Sequence, residues 1–256
     1  MNKFLKSIIH KKLIVLCLFG LLFYLIHFLL YLIFKIKPSI IIWSDAEGYY
    51  QYLPQLFYHN NLKALPYAVT ITEGITFNKY TCGTAILQAP FFFLAHIYCK
   101  IFAHPCNGYS IYYAIFIWIA AVTYAYIALV ILYKILRKWF RKMTSFIAVL
   151  FVYCGTNLFY YTHCNPGYSH VYSFFILTFF VYRLGFFLNK TNFKNALFCA
   201  IPLGLSLLIR PTNVFYLLLF FLYEVYSVGD ISKRINWIFK NLKYFIAICL
   251  IIFLIF

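Results

Sequence analysis

Two of the chain's five acidic residues, Asp45 and Glu47, stand in the segment Trp43 to Leu56, WSDAEGYYQYLPQL, with a single Ala between them. Carboxylates at this spacing could work as an acid-base pair, or hold Mg or Mn through one or two carboxylates and waters. A plainer use is also open: Asp45 could cap a helix that starts at Glu47, its side chain accepting a backbone N–H. Glu73 follows in the same polar region, while Glu224 and Asp230 lie far along the chain. In a chain that is 65% hydrophobic, carboxylates this sparse and clustered call for a use, because an unpaired charge at a lipid boundary is costly.

The other polar residues that could do chemistry are Tyr49 and Tyr50 beside the acids, Lys79 and Tyr80, His163 and His170 flanking Asn165-Pro166-Gly167, and Arg210 before Pro211. Arg210 could snorkel to headgroups or hold a phosphate with its planar fork. His170, between Tyr168 and Tyr172, reads as part of an interfacial aromatic belt or as a ligand-binding group, and Lys79 and His163 stand as further candidates. Acids that accept a proton beside bases that hold a phosphate suit group transfer from a lipid-phosphate carrier. In that chemistry a carboxylate deprotonates the acceptor hydroxyl and cations stabilise the phosphate that leaves.

The elements that must bring these residues together are membrane helices. A charged fraction of 11%, an aromatic fraction of 23% and a mean hydropathy of +0.85 put the chain in the polytopic membrane class. The net charge of +17 could suggest nucleic acid, but the basic residues sit mostly between apolar runs, so nucleic-acid binding is rejected. The fold expected is an all-α transmembrane bundle of about seven spans over residues 1–256, with interfacial helices in a first outer loop at 35–108.

The first run, Leu13 to Phe34, follows four lysines and has no small-residue cleavage site; it reads as a retained span with its N-terminus cytoplasmic. Ile86 to Phe102 is broken by Pro90 and is assigned to the interface. If it crossed, the basic cluster Lys134, Arg137, Lys138, Arg141 and Lys142 would lie outside. Further spans are expected at Tyr109 to Tyr133, Met143 to Tyr161 and Tyr168 to Leu188, with shorter pieces at Ala196 to Ile209 and Val214 to Ser227. The last run, Tyr244 to Phe256, has no exit and suggests a truncated C-terminus. Sixteen of the 22 Lys and Arg then fall at cytoplasmic ends, and Asp45, Glu47 and Glu73 fall outside. The eight cysteines show no metal spacing; a disulfide among Cys82, Cys106 and Cys164 is left open.

On these residues the chain resembles the GT-C superfamily, multi-spanning glycosyltransferases that use polyprenyl-phosphate sugars. It looks like the protein O-mannosyltransferase (family 39) and lipid A aminoarabinose transferase branches. The shared pattern is Ser44-Asp45-Ala46-Glu47-Gly48-Tyr49-Tyr50 after span one, Ala89-Pro90-Phe91 in a loop-borne helix, Pro166-Gly167-Tyr168-Ser169-His170 in a short outer turn, and Gly204 to Arg210 followed by Pro211-Thr212. The resemblance implies Asp45 as catalytic carboxylate with Glu47 as the alternative, and Arg210 as a contact to donor phosphate. Lys79 and His170 are further phosphate candidates; Tyr49, Tyr50, Glu73 and His163 are candidates for acceptor or sugar. Where the aminoarabinose branch has Lys-Pro-Pro, this chain has Gln88-Ala89-Pro90.

The function expected is sugar transfer from a polyprenyl phosphate to a glycan, lipid or protein hydroxyl, at the periplasmic face of a bacterial inner membrane. Partners are the lipid-linked donor and membrane lipid. The alternatives are a transporter or flippase of lipid-linked sugars, or an inactive piece of a larger enzyme.

Overall fold

In the computed structural model of the chain, residues 3–35, 37–59, 69–72 and 75–255 are described. Long apolar stretches become helices because only a helix satisfies its own backbone groups in lipid. The helices of the described residues, long apolar ones and shorter ones alike, are α1 (Lys3–Ile33), α2 (Asp45–Tyr50), α3 (Tyr52–Pro54), α4 (Gly83–Ile101), α5 (Ile111–Leu136), α6 (Lys142–Cys154), α7 (Asn157–His163), α8 (Ser169–Asn189), α9 (Phe193–Ile209), α10 (Leu219–Leu222), α11 (Val228–Lys240) and α12 (Leu242–Ile255). A π turn at Gln55–His59 extends α3, and a 3₁₀ stretch at Pro211–Leu218 joins α9 to α10. Among the described residues, the one departure from all-α architecture is a small antiparallel hairpin, β1 (Val69–Thr72) with β2 (Ile75–Phe77).

Among the described residues, four helices are long and apolar enough to cross a membrane: Ile14–Ile33 of α1, α4, α5 and α8. The number reaches six if two bent pairs each count as one span, against the seven expected. The expected span Met143 to Tyr161 is broken, with α6 and α7 bent by 62°. The break lies at Gly155 and Thr156. Thr156 takes an extended backbone and its hydroxyl accepts from Leu158 N, starting α7 as a new helix.

The expected return helix Val214 to Ser227 also differs. Pro211 stands at the first position after Arg210, and the chain continues as 3₁₀ before one α turn. At about 2 Å per residue the tighter helix gains length over a piece too short to cross as α. Helix α4 covers the segment assigned to the interface, and its length and composition are those of a span.

The core lies in the bundle centre. α5 packs against α4 and α8, and α9 lies between α8 and α12. One buried cluster joins Tyr50, Phe92, Tyr113 and Ile117; another joins Phe180, Phe187, Leu203 and Ile248. Most of α1 beyond Ile14 faces outward, as expected for a helix bathed in lipid.

Two glycines set the approach of the elements that matter for the site. A Cβ on Gly83 would lie 2.4 Å from the carbonyl carbon of Leu208, so the start of α4 rests directly on the end of α9. Thr81 adds a hydrogen bond from its hydroxyl to the Ile209 carbonyl at 3.0 Å. A Cβ on Gly167 would meet the Ile41 carbonyl oxygen at 2.4 Å and Ala46 at 2.6 Å, which seats the turn before α8 against α2. Gln88 donates to the Gly167 carbonyl at 3.2 Å, and Tyr172 donates to that of Pro166 at 3.1 Å.

Candidate functional site

Because of those two approaches, Asp45, Tyr80, His170 and Arg210 meet at one end of the bundle. Asp45 is the first residue of α2. Ser44 before it holds φ 57°, a left-handed conformation that costs a non-glycine residue about 1–3 kcal/mol and persists only where packing imposes it. The Asp45 side chain does not cap its own helix; Ser44, the cap residue, makes no side-chain cap bond either. Instead Asp45 Oδ1 accepts the hydroxyl hydrogen of Tyr80.

Tyr80 is buried and held from several sides. Its amide donates to Asn78 Oδ1 at 3.0 Å, its carbonyl accepts from the Tyr52 hydroxyl at 2.5 Å, and Tyr49 packs edge-on at 4.9 Å. Burial raises the Tyr52 phenol, so it stays a neutral donor in this role. Lys79 Nζ stands 4.8 Å above the Tyr80 ring, a cation placed beside the carboxylate's partner.

Opposite Asp45, Arg210 ends α9 and His170 begins α8. Arg210 Nη1 lies 3.1 Å from His170 Nδ1. A guanidinium can only donate, so Nδ1 accepts and the imidazole carries its proton on Nε2. Tyr161 stacks on the His170 ring with centroids 3.7 Å apart, fixing its plane. The packing of Gly167 on Ala46 and the bond of Thr81 to the Ile209 carbonyl bring the acid and these bases to one site.

The two acids do not act as a pair. On a helix, residues two apart leave the axis about 200° from one another, so Asp45 and Glu47 cannot close on one ion. Glu47 is half-buried, and among the described residues its carboxylate has no hydrogen-bond or ionic partner. No group of three or more His, Cys, Asp or Glu gathers as metal ligands among the described residues. The expected Asp45 and Glu47 centre for Mg or Mn therefore does not fit this geometry.

Other expected site residues lie elsewhere. Tyr50 is fully buried and donates to the Gly108 carbonyl at 2.5 Å, a packing role. His163 is also fully buried, with Nδ1 3.3 Å from His27 Nδ1, while the Tyr153 hydroxyl bonds the other side of His27. It belongs to the bundle interior because α7 turns it inward toward α1. Glu73 lies outside the described residues. Cys82, Cys106 and Cys164 are free thiols, and burial pushes those of Cys82 and Cys164 up, away from nucleophilic use.

Comparison with protein-family models, with curated proteins and with solved structures finds no match. Tyr80 is one of the candidates the sequence singles out, though its bond to Asp45 is not legible there, while Tyr161 is not among them. The signal for Tyr80 was present, since it adjoins Lys79 just before the Gly83 start of α4; Tyr161 carries no such signal.

Proposed function

We propose that the chain is a GT-C-type membrane glycosyltransferase that moves a sugar from a polyprenyl phosphate to a hydroxyl acceptor. The observation that carries this reading is the meeting of Asp45, bonded by Tyr80, with the His170 and Arg210 pair at the end of the bundle, where Gly167 packs on Ala46 and Thr81 bonds the Ile209 carbonyl. The acceptor hydroxyl gives its proton to the free oxygen of Asp45 while its own oxygen bonds to the anomeric carbon. The bond from that carbon to the donor phosphate breaks, and the electron pair leaves with polyprenyl phosphate. Arg210, the Nε2 hydrogen of His170 and Lys79 bind the phosphate oxygens as charge grows there. Tyr80 holds Asp45 in place, and Tyr49 walls the sugar side.

In this reading the site faces the periplasm of a bacterial inner membrane, the N-terminus is cytoplasmic, and α4 lies along the outer surface. The five cations between Lys134 and Lys142 support that choice, since a crossing by α4 would place them on the site's side. A transporter of lipid-linked sugars has one observation in its favour: His27 and His163 form an ionisable pair inside the bundle, where transporters keep such groups.

Membranes containing the chain, supplied with radiolabelled polyprenyl-phosphate sugars, separate the two. Label should reach an acceptor with the unaltered chain, and transfer should vanish in Asp45→Asn and fall steeply in Arg210→Ala at equal protein level. Movement of intact donor across the bilayer without transfer, insensitive to Asp45→Asn, would replace the enzyme with the transporter.

A further inference from the structure

Helix α11 lies at the end of the bundle away from the site. Its Trp237 packs 5.9 Å from Phe187 of α8, and Phe187 is separated from His170 by about 26 Å of helix at 1.5 Å per residue. That is close to the hydrocarbon thickness of a bilayer, roughly 30 Å. α11 is bent by 78° from the apolar α12 that follows, so if α12 enters the membrane, α11 runs along its surface.

The helix has three faces. Arg234 and Trp237 turn toward the bundle, Arg234 donating to the Tyr223 carbonyl at 2.9 Å. Lys233 and Lys240 turn toward water. The third face is an apolar stripe of Val228, Ile231, Ile235 and Phe239, at the spacing of one helix side, and the bundle does not cover it. Val228 is 83% and Phe239 68% exposed.

We infer that α11 is a surface anchor that sinks this stripe into the leaflet opposite the site and binds the phosphates of anionic lipids with its lysines. Charge supports lipid as the occupant. Lys138 reaches Tyr223 at 3.4 Å, which brings the basic cluster of 134–142 to the same end as Lys233, Lys240 and Lys243. Against these cations stand Glu224 and Asp230, and Asp230 is already paired with Lys233 at 3.3 Å. The surplus of positive charge beside an exposed apolar stripe matches an anionic headgroup layer over acyl chains.

The test is amide hydrogen exchange of the full chain in nanodiscs of phosphatidylcholine, with and without phosphatidylglycerol. Phosphatidylglycerol should slow exchange across α11 by on the order of tenfold, and the triple variant Lys233→Glu, Lys240→Glu, Lys243→Glu should lose that slowing. Amides of α8 report whether the variant remains folded. A second variant, Phe239→Ser, should speed exchange in both lipids. Equal exchange of α11 in the two lipids overturns the anchor. Protection that requires other membrane proteins rather than phosphatidylglycerol assigns the face to a protein partner and overturns it as well.

Discussion

Arg210 donates to Nδ1 of His170 at 3.1 Å, a bond between residues 40 positions apart that holds the imidazole neutral with its proton on Nε2. The residue that caps the C-terminus of α9 thus sets the tautomer of the second residue of α8.

This geometry separates Arg210 from a simple positive charge. Arg210→Lys keeps the charge but loses the planar fork, and it should raise the KM for the lipid-linked donor about tenfold, well short of the loss in Arg210→Ala. His170→Asn retains an acceptor for Arg210 and should keep more activity than His170→Leu. Equal kinetics for the Asn and Leu variants would remove His170 from the phosphate site.

Tyr80 is a positioning residue. Tyr80→Phe removes the hydrogen bond to Asp45 while leaving the ring in its packed place. A hydrogen bond to a charged group is worth about 1.5–3 kcal/mol, so kcat should fall roughly tenfold or more with little change in donor KM. An unchanged kcat would show that α2 alone orients Asp45.

The contact of α4 with α9 can be broken at one residue. In Gly83→Ala the new methyl would meet the Leu208 and Ile209 backbone at 2.4–2.6 Å, and backbone cannot move aside as a flexible side chain can. Overpacking of this kind costs about 1–3 kcal/mol. The thermal midpoint in nanodiscs should drop by several degrees, and donor affinity should fall with it because Lys79 and Arg210 separate. A stable variant with normal kinetics would show that the two helices are not held by this approach.

His163 should behave differently from His170. His163→Leu removes the partner of His27 inside the bundle, which should lower stability by about 1–3 kcal/mol, read as a lower thermal midpoint. Transfer per folded molecule should stay unchanged. If transfer is lost while stability holds, the buried pair serves the reaction or the transport of donor.

Side of the membrane is testable with cysteines placed by substitution. Thr212→Cys should react with a membrane-impermeant maleimide from the site side, and Lys190→Cys from the other. Lys138→Cys decides the path of α4: labelling from the Lys190 side keeps α4 on the surface, and labelling from the Thr212 side makes it a crossing.

Much of this protein could be read from the order of its residues. Apolar runs identified α1, α5 and α8, because a stretch of that length without charge has few other stable solutions in water or lipid. Scarcity of acids drew attention to Asp45, and Arg210 before Pro211 marked the end of a helix. What the chain order could not decide was which groups would touch. Asp45 and Glu47 looked like a pair, yet α2 already includes both, and helical geometry turns them apart. His163 and His170 flank one short turn in the sequence and both stood as candidates, yet the break at Gly155 sends one into the core, while Gly167, packed on Ile41 and Ala46, brings the other to Asp45. Tyr80 was a candidate in the sequence but its bond to Asp45 was not legible there, and Tyr161 entered the site only through its stacking on His170. Helix formation depends on neighbours a few residues away, whereas a site depends on which backbones can approach closely, and that was decided by the packing of α2, α4, α8 and α9 as a unit.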